Sequence, residues 1–404
     1  MQKVAVINSV CFQSTGKIAS GLNRHLNKNG YDSVLCYGFG DGIQGEPTYK
    51  IETEIEHKTH AMRSRLFGDE GSGSFFATKK LIEYLRQRNT DTVYLISIHG
   101  YYINRKLLFD YLSKASIKVV YVMIDEHAFL GKCGYSDGCN NYETGCGNCP
   151  QIQEYPKSLF FDRTRKIFKI KQEGYARIKD IVFVGPEYTI ESAKKSPLFE
   201  NKRTEILDEA IDVSFFCPRN TEKLKKELGI DDQKKIIVCV APYSYERKGC
   251  KYFLELAEKM ITYTEYVFVH VGFNGDTQIC PENYIPIGFV SDQDKLAEYY
   301  SLGDLFVFPS LLDTMPNACL EAMSCGTPLL GFEISGMPYI ADESTGTFVK
   351  ARDVEALMDV VLRVDKKDDE VITRCRNYAI SRYDNRLYFE KLTAIGKKAE
   401  ERKL

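Results

Sequence analysis

Two carboxylates eight residues apart, Asp313 and Glu321, stand on either side of a helix start in FPSLLDTMPNACLEAMSCGTPLLG, residues 308–331. Asp313 falls in a loop after the apolar strand 305–309. Glu321 lies inside the helix that Pro316 opens, where a missing N–H loses no partner. Gly326 ends that helix at a point where a left-handed residue is wanted. The N–H groups within the segment Thr314, Met315, Pro316 and Asn317 are expected at the C-terminal edge of a sheet, beside one acid and one turn below the other. Carboxylates accept bidentate hydrogen bonds from vicinal diols and free N–H groups hold oxygens, so the arrangement suits a polyhydroxylated ligand. Further upstream, APYSYERKGCKYFLELAEKM sets Arg247 and Lys248 between the strand 235–240 and an amphipathic helix that begins at Gly249. Two fixed cations at a helix N-terminus suit a diphosphate, above all the charge that develops on it as a leaving group.

The N-terminal half holds other groups able to do chemistry. The loop SVCFQSTGKIASGLNRHL carries Gly16, Lys17 and Gly21, a spacing that fits a nucleotide loop and a simple tight turn equally well. His99 stands at the C-terminal end of a strand in ISIHGYYINRK, and Asp125, Glu126 and His127 follow the next strand in VMIDEHAFL. Cys133, Cys139, Cys146 and Cys149 are spaced C-x5-C-x6-C-x2-C. Four thiolates with a closing C-x-x-C suit tetrahedral zinc in a structural knuckle. Two disulfides, loose thiols or an iron–sulfur cluster are the competing readings.

The elements that must position these groups alternate along the chain. Apolar runs at 3–8, 33–37, 93–98, 118–123 and 181–184 read as strands of a parallel sheet covered on both faces. A second series, at 235–240, 266–271, 285–288, 305–308 and 328–331, repeats the design, and helices are expected at 368–382 and 385–401. With 404 residues, two domains are the default. A net charge of −2 leaves no basic stripe for nucleic acid. MQKVAVINSVCF reads as a buried strand rather than a signal peptide, and no apolar run reaches membrane-spanning length. Thirteen scattered cysteines fit a reducing, cytoplasmic setting. The glycine- and aromatic-rich stretch 64–78 reads as a disordered tip or an acceptor lid. Its flanking cations Arg63, Arg65, Lys79, Lys80, Arg86 and Arg88 form a solvated face or touch anionic headgroups at the membrane periphery, worth about 1 kcal/mol per charge.

The spacing of Asp313 and Glu321 within PS…P…LEAM.CG.P resembles the family-4 retaining glycosyltransferases of the GT-B fold. Glu is usual in the first position; Asp313 stands in the register of relatives that read E-D-x-x-P-N. The resemblance implies an α/β protein of two Rossmann-like, doubly wound domains facing a central cleft. An acceptor-binding domain would span 1–208 with the cysteine-rich insertion 133–149, a nucleotide-sugar domain 209–382, and a last helix at 383–404 would cross back to the first domain. DEAIDVSFFCPRN, residues 208–220, is a partial match to the family's segment between domains, with Glu209, Ala210, Ile211 and Asp212 at its N-G-V-D positions.

The same resemblance implies roles for residues. Asp313 and the segment Thr314, Met315, Pro316 and Asn317, through the N–H groups of its non-proline residues, would hold the donor sugar, Glu321 the ribose, and Arg247 with Lys248 the diphosphate. Gly16 and Lys17 would approach the donor phosphates and the acceptor. Where relatives carry His-Asp, this chain has Ile124-Asp125, so either Asp125, Glu126 or His127 takes over, Asp125 first in rank and His127 second, or the site has drifted, with His99 beside the reacting end. Retention needs orientation and charge stabilisation rather than a strong base. No metal is expected in catalysis, since the sequence shows no D-x-D of the kind that would hold one on the diphosphate, and zinc would be structural only. The expected donor is a UDP- or GDP-sugar, and the acceptor a glycan or lipid-linked intermediate of surface-polysaccharide synthesis. A non-catalytic nucleotide-sugar-binding scaffold and a GT-B sugar-nucleotide epimerase are the alternatives.

Overall fold

The computed structural model describes residues 1–397, which divide into two units: residues 1–207 with those from 389 on, and residues 208–388. In the first unit the strands are β1 (Lys3–Asn8), β2 (Asp32–Tyr37), β3 (Thr48–Lys50), β4 (Thr92–Leu95), β5 (Lys118–Val122), β6 (Ile181–Gly185) and β7 (Arg203–Ile206). They form one sheet in the order β3-β2-β1-β4-β5-β6-β7, every pair parallel. The second unit holds β8 (Lys235–Val240), β9 (Tyr266–Val271), β10 (Tyr284–Ile287), β11 (Leu305–Phe308), β12 (Leu329–Phe332) and β13 (Gly346–Val349). Their order is β10-β9-β8-β11-β12-β13, again all parallel.

Continuous apolar strands need both faces covered, and both sheets satisfy this. Residues of β4, β5, β9 and β11 are buried without exception. The helix Cys250–Lys259 lays Phe253, Leu256 and Ala257 into the second core. All ten strands expected from the sequence form, within one residue at each end, except that the strand expected at 93–98 stops at Leu95. The three additional ones, β3, β7 and β13, lie at sheet edges, where half-exposed strands carry no long apolar run.

The last helix runs Asn385–Gly396, and residues 398–401 of the expected helix lie outside the described residues. From Phe389 on, it packs on the first unit. Tyr94 Oη donates to Leu392 O at 2.9 Å and Thr92 Oγ1 to Gly396 O at 3.0 Å. Phe389 lies so close to Gly21 that a Cβ there would overlap its ring.

The stretch 64–78 is neither a loose tip nor a lid. The helix Glu54–Phe67 enters it, a buried turn crosses it, and the helix Phe75–Gln87 leaves it. His60 Nε2 accepts the N–H groups of Gly71 (3.2 Å) and Gly73 (3.1 Å), while Nδ1 meets Ser74 Oγ at 2.8 Å. The glycines are there for close approach: a Cβ on Gly71 would overlap the Arg105 guanidinium, and one on Gly73 the His60 ring.

Candidate active site

In an open parallel sheet, ligands bind beyond the strand C-termini where the strand order reverses. In the second unit that point lies between β8 and β11, which are neighbours in the sheet but distant in sequence. The loop after β8 carries Arg247 and Lys248; the loop after β11 carries Asp313. Asp313, only 6% exposed, accepts from Lys248 Nζ at 3.1 and 3.0 Å and from Arg247 Nη1 at 3.2 Å. Ser310 Oγ donates to the same carboxylate at 2.6 Å.

Backbone contacts lock the two loops together. Arg247 O accepts from Leu311 N at 2.8 Å and from Ser310 Oγ at 3.0 Å. Gly249 makes this approach feasible: its φ is +66°, and a Cβ would overlap the carbonyl oxygen of Pro309. Lys248 Nζ also sits 5.1 Å from the centre of the Phe308 ring. Its side chain is 15% exposed and that of Arg247 40%, so the cations stand at the rim of the sheet edge with a buried carboxylate behind them.

The helix after Asp313 runs Asn317–Ser324, with Pro316 at its N-cap (φ −72°) and Gly326 (φ +84°) just beyond its end. Thr314 and Met315 are buried. Gly336 N donates to Asp313 O at 3.0 Å, and a side chain at Gly336 would overlap the Thr314 carbonyl, so the 313–314 backbone is braced from behind. Met315 Sδ accepts from Glu209 N at 3.2 Å. Glu321 stands half-buried on the same helix and accepts from Tyr300 Oη at 2.7 Å. Burial, and then the Glu321 carboxylate, push the Tyr300 phenol well up, so it remains a donor. Ser310 and Tyr300 are the supports that sequence reasoning missed. Ser310 lies in the quoted frame, but nothing in its spacing distinguishes it from a loop serine.

In the first unit the strand order reverses between β1 and β4. Gly16 and Lys17 lie inside the helix Gln13–Lys28 that follows β1, rather than in a loop before it. Lys17 is exposed, and a Cβ on Gly16 would overlap the Cys11 carbonyl carbon, so the glycine serves close packing of the helix on the turn. His99 follows β4, and its Nε2 meets Asp125 Oδ2 at 2.8 Å. The other oxygen of Asp125 accepts from His127 N at 2.9 Å. The His99 and His127 rings are 4.8 Å apart.

His127 is 1% exposed, with Nε2 on Arg105 Nη1 at 2.6 Å and Nδ1 on Cys133 O at 3.3 Å. Arg105 can only donate, so Nε2 accepts and Nδ1 carries the proton. Burial, with Lys171 and Arg105 nearby, keeps this imidazole neutral. Both ring nitrogens are thus engaged, which makes His127 a support for the turn carrying Asp125. Behind it, Arg105 Nη2 lies 2.5 Å from Glu70 Oε2, both side chains almost wholly buried. No sequence spacing links residues 70, 105 and 127, and only the fold brings them together.

Burial lowers the His99 pKa, but the Asp125 carboxylate outweighs it and the net shift is upward from 6.5. For a base raised on folding, the stabilisation is complete below 6.5 and fades as pH rises through the folded value. Asp125→Asn is therefore expected to lower Tm more at pH 6 than at pH 9. An equal loss at both would exclude an imidazolium–carboxylate pair.

Among the described residues, one triad gathers its ligating atoms within 4.8 Å: Cys239, Cys250 and His270, all buried. His270 is already committed, with Nε2 on Ala241 O at 2.9 Å and Nδ1 on Tyr284 Oη at 2.5 Å. It would have to give up a hydrogen bond to ligate, so this cluster is core packing beneath the Arg247–Gly249 loop.

Residues 234–366, which contain Arg247, Lys248, Asp313 and Glu321, match the family described as glycosyl transferases group 1. Over 361 residues the chain is 23% identical to a protein of Escherichia coli K12 described as a colanic acid biosynthesis glycosyl transferase, WcaC, covering 85% of this chain and 86% of the relative. It is 25% identical over 198 residues to an E. coli UDP-Gal:α-D-GlcNAc-diphosphoundecaprenol α-1,3-galactosyltransferase, covering 42% of this chain and 50% of that enzyme. Anabaena HepE, solved in complex with UDP, superposes with a TM-score of 0.67 at 11% identity over 98% of this chain and 99% of its own. Sheet topology, clustered cations and acid, and the family match lead to one conclusion: the chain has the GT-B fold, and its residues 234–366 match the glycosyl transferases group 1 domain.

Proposed function

We propose that the protein transfers a sugar from a nucleoside-diphosphate sugar, with retention at the anomeric carbon, to a glycan or lipid-linked acceptor in surface-polysaccharide synthesis. One observation carries this reading: Arg247 and Lys248 converge on the buried Asp313 at the edge of the second sheet. A sugar diphosphate offers each of these groups a partner. The diphosphate meets the two cations, a sugar hydroxyl replaces one of the donors now satisfying Asp313, and Glu321 is one helical turn beyond Asn317 for the ribose diol. The relatives named for colanic acid and for a diphosphoundecaprenol acceptor support the polysaccharide setting, and the UDP complex of HepE supports the donor class.

In the retaining step, the acceptor oxygen bonds to the anomeric carbon on the face the diphosphate leaves. The bond from that carbon to the phosphate oxygen breaks, and the acceptor's proton passes to that phosphate oxygen. Charge then accumulates on the diphosphate, where fixed cations stabilise the transition state more than the ground state. That is the work a divalent ion does in other enzymes, and it lets the reaction proceed without one. In the first unit, His99 and Asp125 orient the acceptor hydroxyl.

Calorimetric titration with UDP, GDP and ADP tests the donor site. One of the three should bind, with Arg247→Ala weakening it by about 10- to 150-fold, as expected for a charge-assisted hydrogen bond of about 1.5–3 kcal/mol. Once the donor is known, the anomeric configuration of the product tests retention, and turnover in excess chelator tests independence from divalent ions. Binding without turnover on any acceptor would instead favour a scaffold, and an altered sugar on the same nucleotide an epimerase.

A further inference from the structure

We infer that Cys133, Cys139, Cys146 and Cys149 bind one zinc ion, which fixes the turn carrying Asp125 and His127. The inference does not rest on the transferase reading, because it concerns the folding of one module of the first unit.

Residues 133–150 fold without the usual means. Their only regular element is a 3₁₀ turn at Asn141–Glu143, and Tyr142 is their only buried residue. A segment with so little apolar burial does not offset its own conformational entropy and needs a cross-link or a metal. The backbone is nevertheless sharply specified. Gly145, Cys146, Gly147 and Asn148 have φ of +112°, +49°, +121° and +48°, and Asp137 and Gly138 have +45° and +76°. Left-handed conformations at non-glycine residues are costly and persist only where the surroundings impose them.

These turns bring all four cysteines to the lining of one small cavity, although no three of their sulfurs lie within 4.8 Å of one another. Hydrogen bonds hold the backbone at three of them: Cys139 N donates to Ser136 O at 2.9 Å, Cys146 N to Asn141 O at 2.8 Å, and Cys149 N to Asp162 Oδ2 at 2.7 Å. A four-thiol donor set selects zinc over calcium or magnesium, which take oxygen ligands. Binding would draw the four sulfurs in to metal bonds of about 2.3 Å.

The module is tied directly to the candidate active site. Glu126, fully buried, donates its N–H to Gly134 O at 2.9 Å and accepts from Ser136 N at 2.5 Å. The Cys133 carbonyl accepts from the His127 ring. Cys133–Ser136 therefore clamps the two residues that follow Asp125, and fixing Cys133 on a metal fixes that clamp.

The test is metal analysis of the full chain, purified with reductant from zinc-supplemented cells and exchanged into buffer with a weak chelator. One zinc per chain is expected, falling below about a tenth in Cys149→Ser and in Cys139→Ser. To keep the test independent of misfolding in those variants, the native protein is also stripped with a strong chelator and reloaded with cobalt. The ligand-field bands of tetrahedral thiolate cobalt are expected at one equivalent. Hydrogen exchange read on the same samples should show amides 126–136 exchanging at least tenfold faster without metal, and unchanged exchange there would overturn the anchoring role. A protein that takes up neither zinc nor cobalt overturns the site. So does one whose four cysteines prove to be two disulfides by mass, or one that carries iron and acid-labile sulfide.

Discussion

Lys248→Ala is expected to lower kcat/KM by roughly 10²–10³-fold, the usual effect of removing one preorganised group from a developing negative charge. The magnitude follows from where the ammonium stands. It is mostly shielded from water, 3.0–3.1 Å from both oxygens of Asp313, and its loop is locked to the next by the hydrogen bonds of Arg247 O. Little reorganisation is required when a diphosphate arrives, so most of the electrostatic gain appears in the transition state. Affinity for a nucleoside diphosphate should fall together with kcat, while affinity for the uncharged nucleoside should not change. A variant that merely loosened the fold would lower both affinities. The remaining neighbours of Asp313, Arg247 and Ser310, still satisfy the carboxylate, so Tm should drop by only a few degrees. Full activity in Lys248→Ala would remove the diphosphate role from the pair.

The cation–carboxylate cluster was readable in the sequence because its two halves each follow a buried strand whose apolar run marks its end. The bounds of β8, β9 and β11 agree with that reading to the residue. Once those ends are placed at one sheet edge, Arg247, Lys248 and Asp313 must meet, although 65 residues separate Lys248 from Asp313. The edge strands were not readable, because half-exposed residues such as those of β7 lack the pattern. Nor were the supports. A serine three residues before an acid, or a tyrosine twenty-one residues before a glutamate, has no period to betray it; Ser310 and Tyr300 become visible only through their bonds to Asp313 and Glu321. The stretch 64–78 shows the same limit from the other side. Its glycines look like a flexible tip, yet they are small because His60 and Arg105 pack against them. Composition records that a Cβ is missing, not what occupies the space.

That buried packing carries the largest expected loss of stability. Arg105→Met should destabilise the first unit by about 3–5 kcal/mol, since it leaves the Glu70 carboxylate buried without its counter-charge. Arg105 is 1% exposed and Glu70 2%. Besides its ion pair with the carboxylate, the guanidinium hydrogen-bonds to Glu70 O at 2.6 Å and His127 Nε2 at 2.6 Å, so two acceptors lose a donor and one carboxylate its counter-charge in one substitution. Met fills much of the same volume, which separates the loss of charge from the loss of packing. Removing both partners, in Arg105→Met with Glu70→Gln, should recover more than half of the stability, because an apolar or neutral pair no longer strands a charge. Urea denaturation followed by a probe in the first unit measures all four corners of the cycle. The outcome against the argument is a double variant as unstable as the sum of the singles, which would mean that Arg105 acts through His127 and the backbone of the 68–74 turn rather than through its ion pair. If the pair is what matters, activity should follow the same order, since His127 and the Asp125 turn lean on the guanidinium: lowest in Arg105→Met, and partly restored in the double variant at a temperature where both remain folded.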